Sequence, residues 1–230
     1  MSKSFLEAMR TAVGPRETIC SIGFDPDLHT SGIGILIGSL TRPPVAEPTF
    51  VEVWAIMIYG REGSLQDVQF ADSMVTEVLA FFDGLPNMSL APSEKVITTV
   101  EGQRIYPKPN DTRQALVGKA NDLMRLGQVS GAVQGRTRSA PYDGSRVYLP
   151  EEWKGQAPKA TMHQDTAKRL GDIPARLIGV KPGGKVTVDR SLRAMDLGNV
   201  PKAFGHALDA VCLAEFGLDR YHDDRWSYRW

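Results

Sequence analysis

Ile19-Cys20-Ser21-Ile22-Gly23-Phe24-Asp25-Pro26-Asp27-Leu28-His29-Thr30-Ser31-Gly32-Ile33-Gly34-Ile35-Leu36-Ile37 is a pair of apolar runs separated by a polar turn. Strands are expected at 19–25 and 32–38, because Pro26 removes a ladder donor and ends the first run. Asp25 closes that run. A lone carboxylate at the inner end of an apolar hairpin costs several kcal/mol if it stays ionised and unpaired. A bound cation would remove the penalty, so partners for Asp25 are the features to look for elsewhere in the chain.

A third strand is expected at 50–58, where Phe50-Val51-Glu52-Val53-Trp54-Ala55-Ile56 partly alternates, and a fourth at Lys95-Val96-Ile97-Thr98-Thr99-Val100-Glu101, again ending in an acid. Pro43, Pro44 and Pro48 make 39–49 a hairpin loop. Helices are expected at 4–13, stopped by Gly14-Pro15, and at 66–82, where Val68, Phe70, Met74, Val75, Val78, Leu79 and Phe82 share a face. Asp111 is the expected N-cap of a long helix to about Val133. A short strand at 147–149, a basic helix at 158–170 and a last helix at about 201–217 complete the pattern. Residues 171–200, rich in Gly, Pro and charge, read as an irregular insertion, and the residues after 217 as a charged tail.

This order predicts an α/β chain with a mixed five-stranded sheet flanked by helices. A hairpin-led meander followed by parallel strands is the order of the ribonuclease H-like fold. At 230 residues and 42% apolar content the chain can bury one substantial core, so residues 1–230 are expected to form a single domain. No run of 18 apolar residues exists, which excludes a long apolar membrane span, and the early Glu7 argues against a secretory signal. Cys20 and Cys212 lie far apart in apolar runs with no CxxC spacing, as structural thiols in a reducing cytoplasm would. The absence of GxGxxG and GxxxxGK[ST] disfavours nucleotide-triphosphate chemistry.

Charge is balanced overall but unevenly placed. Residues 1–100 carry 6 Lys and Arg against 12 Asp and Glu, and residues 101–230 carry 21 against 15. The basic second half presents either a polyanion-facing surface or an ordinary mixed one. In the last helix His206 and Asp209 are three residues apart and share a face. Either they form a structural hydrogen-bonded pair or they ligate. Asp25, Glu101, His206 and Asp209 together suit phosphodiester hydrolysis, in which two divalent ions about 3.5–4 Å apart neutralise the phosphate, activate water and stabilise the leaving oxygen. Hard oxygen donors select Mg²⁺, with Mn²⁺ compatible. His206 is either a ligand or a proton shuttle.

Ile22 to Gly34, with its Asp-Pro turn, resembles the first-strand motif of RuvC-type Holliday junction resolvases. Val100-Glu101-Gly102-Gln103 resembles the family's glutamate strand, and Leu126-Gly127-Gln128-Val129-Ser130-Gly131-Ala132-Val133 its Leu-Gly-Gln-x-x-Gly helix. His206-Ala207-Leu208-Asp209-Ala210 resembles its C-terminal metal motif, in the variant that opens with His. The match runs in order over about 19–217. Asp27 departs from the usual Gly, and Glu151-Glu152-Trp153-Lys154-Gly155-Gln156 resembles the divergent bacteriophage members.

The resemblance implies catalytic and metal-binding roles for Asp25, Glu101, His206 and Asp209, two Mg²⁺ ions, a homodimer and cleavage of four-way DNA junctions in the cytoplasm, the host's if the source is a phage. The helix at 111–133 is the expected dimer interface. Arg104, Tyr106, Lys108, Arg113 and Lys119 are candidate DNA contacts, Tyr106 either stacking on a base or covering the core. Arg136, Arg138, Arg146, Lys154, Lys159, Lys168 and Arg169 extend the basic surface. Lys181-Pro182-Gly183-Gly184-Lys185 reads as a hairpin turn, and His222-Asp223-Asp224 as solvated. A broader flap and fork nuclease, a catalytically silent DNA-binding module and a sugar-kinase or ATPase relative are the competing readings; the intact acidic trio weighs against the silent module.

Overall fold

A computed structural model of the chain describes residues 17–27, 29–40, 49–59, 95–103, 110–138, 144–155, 157–181 and 185–222. The expected helices at 4–13 and 66–82 lie outside them, as do most of the 39–49 loop and residues 223–230 of the expected tail; residues 218–222, also expected in the tail, instead continue the last helix, which runs from Gly205 to His222.

Among the described residues seven strands form one sheet: β1 (Glu17–Asp25), β2 (Thr30–Leu40), β3 (Thr49–Tyr59), β4 (Lys95–Glu101), β5 (Gly144–Tyr148), β6 (Pro174–Lys181) and β7 (Lys185–Arg193), in the order β5-β4-β1-β2-β3-β6-β7. β1, β2 and β3 are an antiparallel meander; β4 pairs parallel with β1, β5 parallel with β4, and β6 parallel with β3. The five strands β5-β4-β1-β2-β3 have the ribonuclease H-like order, and β6 and β7 extend it at one edge.

The segment 171–200 is therefore not an irregular insertion, and the sheet has seven strands where five were expected. Ala175 and Leu177 point inward from β6 against exposed Pro174 and the half-buried Arg176 and Ile178. A register shift at Gly179/Val180 then breaks the alternation that would have marked the strand. β7 is an edge strand, and Lys185, Asp189, Arg190 and Arg193 give it the charged, exposed character that protects an edge from further pairing. Lys181 pairs with Lys185 across the hairpin.

Helix α1 (Arg113–Arg136) packs on one face of the sheet, where Val129 and Val133 meet Cys20, Ile22, Phe24, Ile33 and Ile35. Its N-cap is Thr112, whose hydroxyl accepts from the Ala115 N–H at 3.2 Å, and not Asp111. Asp111 pairs instead with Lys119. A one-turn helix α2 (Pro150–Trp153) and helix α3 (Lys159–Leu170) follow β5. After two short 3₁₀ turns, Ala194–Asn199 and Lys202–Phe204, helix α4 (Gly205–His222) crosses the opposite face. There Ala207, Leu208, Val211 and Ala214 pack on Leu36, Val53, Ala55 and Met57. No helix among the described residues is long and apolar enough to cross a membrane.

α4 lies directly on the sheet backbone. A Cβ placed on Gly23 would meet the Ala210 carbonyl, one on Gly34 the Val211 amide, and one on Gly32 the His206 carbonyl. The glycines of β1 and β2 thus remove the layer of side chains that normally separates a helix from a sheet, and they seat the start of α4 beside the end of β1.

Candidate metal centre

Strand parity places the acids. In β1, Cys20, Ile22 and Phe24 face α1, so Asp25 faces α4; in β4, Val96 and Val100 face α1, so Glu101 faces α4 as well. The two strands are parallel neighbours, with Phe24 opposite Val100, and both acids come one residue later. The Gln103 amide donates to the Pro26 carbonyl at 3.3 Å, tying the two strand ends together. The Ser130 hydroxyl of α1 donates to the Glu101 carbonyl at 3.3 Å.

α4 brings the other two groups. The ring Nδ1 of His206 is 2.8 Å from Asp25 Oδ2; toward an ionised Asp25 the Nδ1–H donates, and in the neutral imidazole Nε2 is then the ring's acceptor. Ligand atoms of Asp25, His206 and Asp209 all lie within 4.8 Å of one another. Asp25, Glu101 and Asp209 keep only 4%, 6% and 1% of their surface exposed. Such burial of three acids is stable only with cations or protons among them.

Cations are present, and they come from α2 and α3. Lys154 Nζ lies 3.0 Å from Glu101 Oε2 and 3.4 Å from Asp209 Oδ2. Lys159 Nζ is 2.5 Å and His163 Nε2 2.6 Å from the Asp209 carboxylate. α3 is fixed to α4 by Arg169, which donates through Nε and a terminal nitrogen to both oxygens of buried Glu215 at 2.7 and 2.6 Å, with Thr166 donating to the same carboxylate.

The acids respond unequally. Burial pushes Glu101 up to about 7, reinforced by the neighbouring Asp25 charge and only partly opposed by Lys154. Burial likewise raises Asp25, against the His206 hydrogen bond. For Asp209 burial works in the same direction but is outweighed by the His163 hydrogen bond and the Lys154 and Lys159 ammoniums, which hold it below the ordinary carboxylate value. The Asp25 hydrogen bond raises His206. Lys154 loses hydration, yet the charges of Glu101, Asp209 and Asp25 hold its ammonium form.

The donor set fits a divalent cation. Asp25, His206 and Asp209 offer two carboxylates and an imidazole within 4.8 Å of one another, and Glu101, whose Oε1 accepts from Lys154 at 3.2 Å, keeps its buried Oε2 without a hydrogen bond. Asp27 plays a different part. Its Oδ1 accepts from the His29 and Thr30 amides at 2.9 and 3.4 Å, and its backbone exchanges hydrogen bonds with the Ser31 hydroxyl, so it shapes the β1–β2 turn.

Asp25, His206 and Asp209 therefore come together at one end of the sheet, with Glu101 beside them across Lys154. Among the expected DNA contacts, Arg113 is exposed at the start of α1 and Lys119 is held by Asp111, while Arg104, Tyr106 and Lys108 lie outside the described residues. Lys154 and Lys159, expected on a basic outer surface, reach the acids instead. His163 was not singled out by the sequence; its one signal is the i,i+4 spacing from Lys159 on α3.

No protein-family model and no curated protein sequence matches this chain. Solved structures resemble it at low identity. Thermus thermophilus RuvC is 17% identical with a TM-score of 0.48, the match covering 90% of this chain and 95% of that one. The human cytomegalovirus terminase nuclease domain is 16% identical with a TM-score of 0.46, covering 95% and 91%. A manganese-soaked, inhibitor-bound structure of the same domain is 15% identical with a TM-score of 0.41, covering 92% and 88%.

Proposed function

We propose that the chain is a divalent-metal-dependent endonuclease that hydrolyses phosphodiesters in branched DNA, and that its substrate is the four-way junction, nicked symmetrically by a homodimer. The cluster of buried Asp25 and Asp209 with His206, from β1 and α4, with buried Glu101 of β4 joined to it through Lys154, carries this reading.

Asp25, Glu101 and Asp209 would hold two Mg²⁺ ions, Mn²⁺ substituting, with His206 as a fourth ligand or as proton acceptor. Bound there, the ions supply charge neutralisation at the scissile phosphate and a more acidic water. The Asp25 carboxylate orients the His206 ring through Nδ1–H, which leaves Nε2 to take a proton from the attacking water. The ends of β1 and β4 place Asp25 and Glu101, and α4, seated on the sheet, places Asp209, so substrate and water meet a fixed geometry. The exposed Arg113 offers positive charge to the DNA backbone. Leu116, Val117 and Met124 leave an exposed apolar strip on α1, which favours that helix as the dimer contact. The reaction belongs to recombination and repair of DNA in the cytoplasm.

The test is cleavage of a synthetic four-way junction with a mobile core, in Mg²⁺ and in EDTA, with flap and fork substrates alongside and sedimentation to give the oligomeric state. Paired symmetric nicks that need the metal support the reading. Equal cutting of flaps and junctions widens it to a general branched-DNA nuclease, and metal-independent binding without cutting of any substrate overturns it.

A further inference from the structure

Lys154 has an unusual position. Its ammonium bridges Glu101 and Asp209, at 3.0 and 3.4 Å, whereas Lys159 and His163 pair with Asp209. Glu101 is tied into the Asp25, His206 and Asp209 cluster through this lysine. The fit is imperfect, since Glu101 Oε2 stays without a hydrogen bond beside the ammonium. A divalent ion would engage the Oε2 that the ammonium, donating to Glu101 Oε1 at 3.2 Å, leaves without a hydrogen bond.

The backbone that carries Lys154 is lightly held. The residue caps a four-residue helix with no buried member, and Gly155 follows at φ 57°, where the chain turns away. Its side chain is 24% exposed, against 8% for Glu101 and 1% for Asp209, so the ammonium enters from the solvent side. Its stem is flexible, and Nζ also lies 4.6 Å from the centroid of the Trp153 ring.

We propose that Lys154 is a built-in substitute cation, occupying the Glu101–Asp209 gap in the metal-free protein and displaced from it when a divalent ion binds. This rests on the metal-site reading above. The ammonium keeps two buried carboxylates from facing each other uncompensated, and it sets the threshold at which the site loads. Lysine-filled and metal-filled states exclude each other, so apparent metal affinity is the intrinsic affinity multiplied by the fraction of molecules whose gap is free of lysine.

The experiment counts Mn²⁺ binding from the loss of the free-ion EPR signal, on the full chain without DNA, for wild type, Lys154→Met and Lys159→Met. Metal-free stability is read in parallel by urea unfolding. Lys154→Met should bind Mn²⁺ about tenfold more tightly than wild type. It should be less stable than wild type without metal and regain most of that difference with saturating Mn²⁺. Lys159→Met removes the same charge beside Asp209 and should tighten binding much less. In wild type, Mg²⁺ should change Trp153 emission as the ammonium leaves, a change absent from Lys154→Met and from Trp153→Phe.

Equal or weaker Mn²⁺ binding by Lys154→Met overturns the substitution, and so does an equal gain in Lys159→Met, which would mean bulk charge alone. If wild type and both variants bind no Mn²⁺, the metal-site reading itself fails. If wild type binds and Lys154→Met does not differ, only the role of Lys154 fails.

Discussion

His206 Nδ1 is hydrogen-bonded to Asp25 Oδ2 at 2.8 Å across 181 positions of sequence. The bond joins the last residue of the first strand to the first turn of α4. It gives Asp25 a partner but not full compensation, because burial still holds the carboxyl above its ordinary value.

Asp25→Asn should separate stability from activity. The amide keeps the shape and removes a charge the fold resists burying, so the metal-free variant should unfold at equal or higher urea, by up to about 1 kcal/mol. Junction cleavage should fall at least about a hundredfold while junction binding stays within about twofold. Gel-shift and single-turnover cleavage on the same preparation check both.

Glycines in contact with α4 and glycines facing open space should respond oppositely to alanine. Gly34→Ala drives a methyl into the Val211 backbone and should cost about 2 kcal/mol or more while weakening Mn²⁺ binding. Gly118, inside α1 with nothing near its Cβ position, should gain about 0.5–1 kcal/mol as alanine. Urea midpoints of the two variants decide the matter.

Metal-free stability should fall as pH rises. Glu101 moves from an ordinary 4.5 to about 7 in the fold, so between those values the folded chain keeps a proton that the unfolded chain has lost. Stability then declines through that window, on the order of 3 kcal/mol by its upper end, and the raised Asp25 acts in the same direction. Mn²⁺ affinity should rise over the same window, because binding releases the Glu101 proton. Urea unfolding and Mn²⁺ titration between about pH 5 and 8 test both slopes; metal-free stability that climbs with pH would contradict the burial of these acids.

Arg169→Met should destabilise the chain by about 3 kcal/mol, since Glu215 is 4% exposed and would lose its bidentate partner. Arg169→Met combined with Glu215→Leu should recover part of the loss. A double-mutant cycle by urea unfolding measures the coupling.

The acids were legible because each of β1 and β4 is an apolar run that stops at a carboxylate, and because His206 and Asp209 are one helical turn apart on an apolar helix. β6 and β7 were not. β6 breaks its alternation at a register shift, and β7 is an edge strand whose charges resemble a loop. The N-cap shifted by one residue because Asp111 and Thr112 are both good capping residues and local sequence does not say which hydroxyl or carboxylate reaches Ala115. The inward turn of Lys154 had no sequence signal. A lysine after a Trp on a short helix reads as solvated until β4 and α4 place two carboxylates within its reach.

The glycine-lined seating of α4 also has a meaning in time. β1 and β4 can present Asp25 and Glu101 as soon as their strands pair, but His206 and Asp209 arrive with a helix more than a hundred residues after Glu101. A chain interrupted before residue 205 holds half of the acid pocket and an uncovered strip of strand backbone at Gly23, Gly32 and Gly34. The acids of the two strands and the His206 and Asp209 groups are therefore brought together only after the last helix has been made.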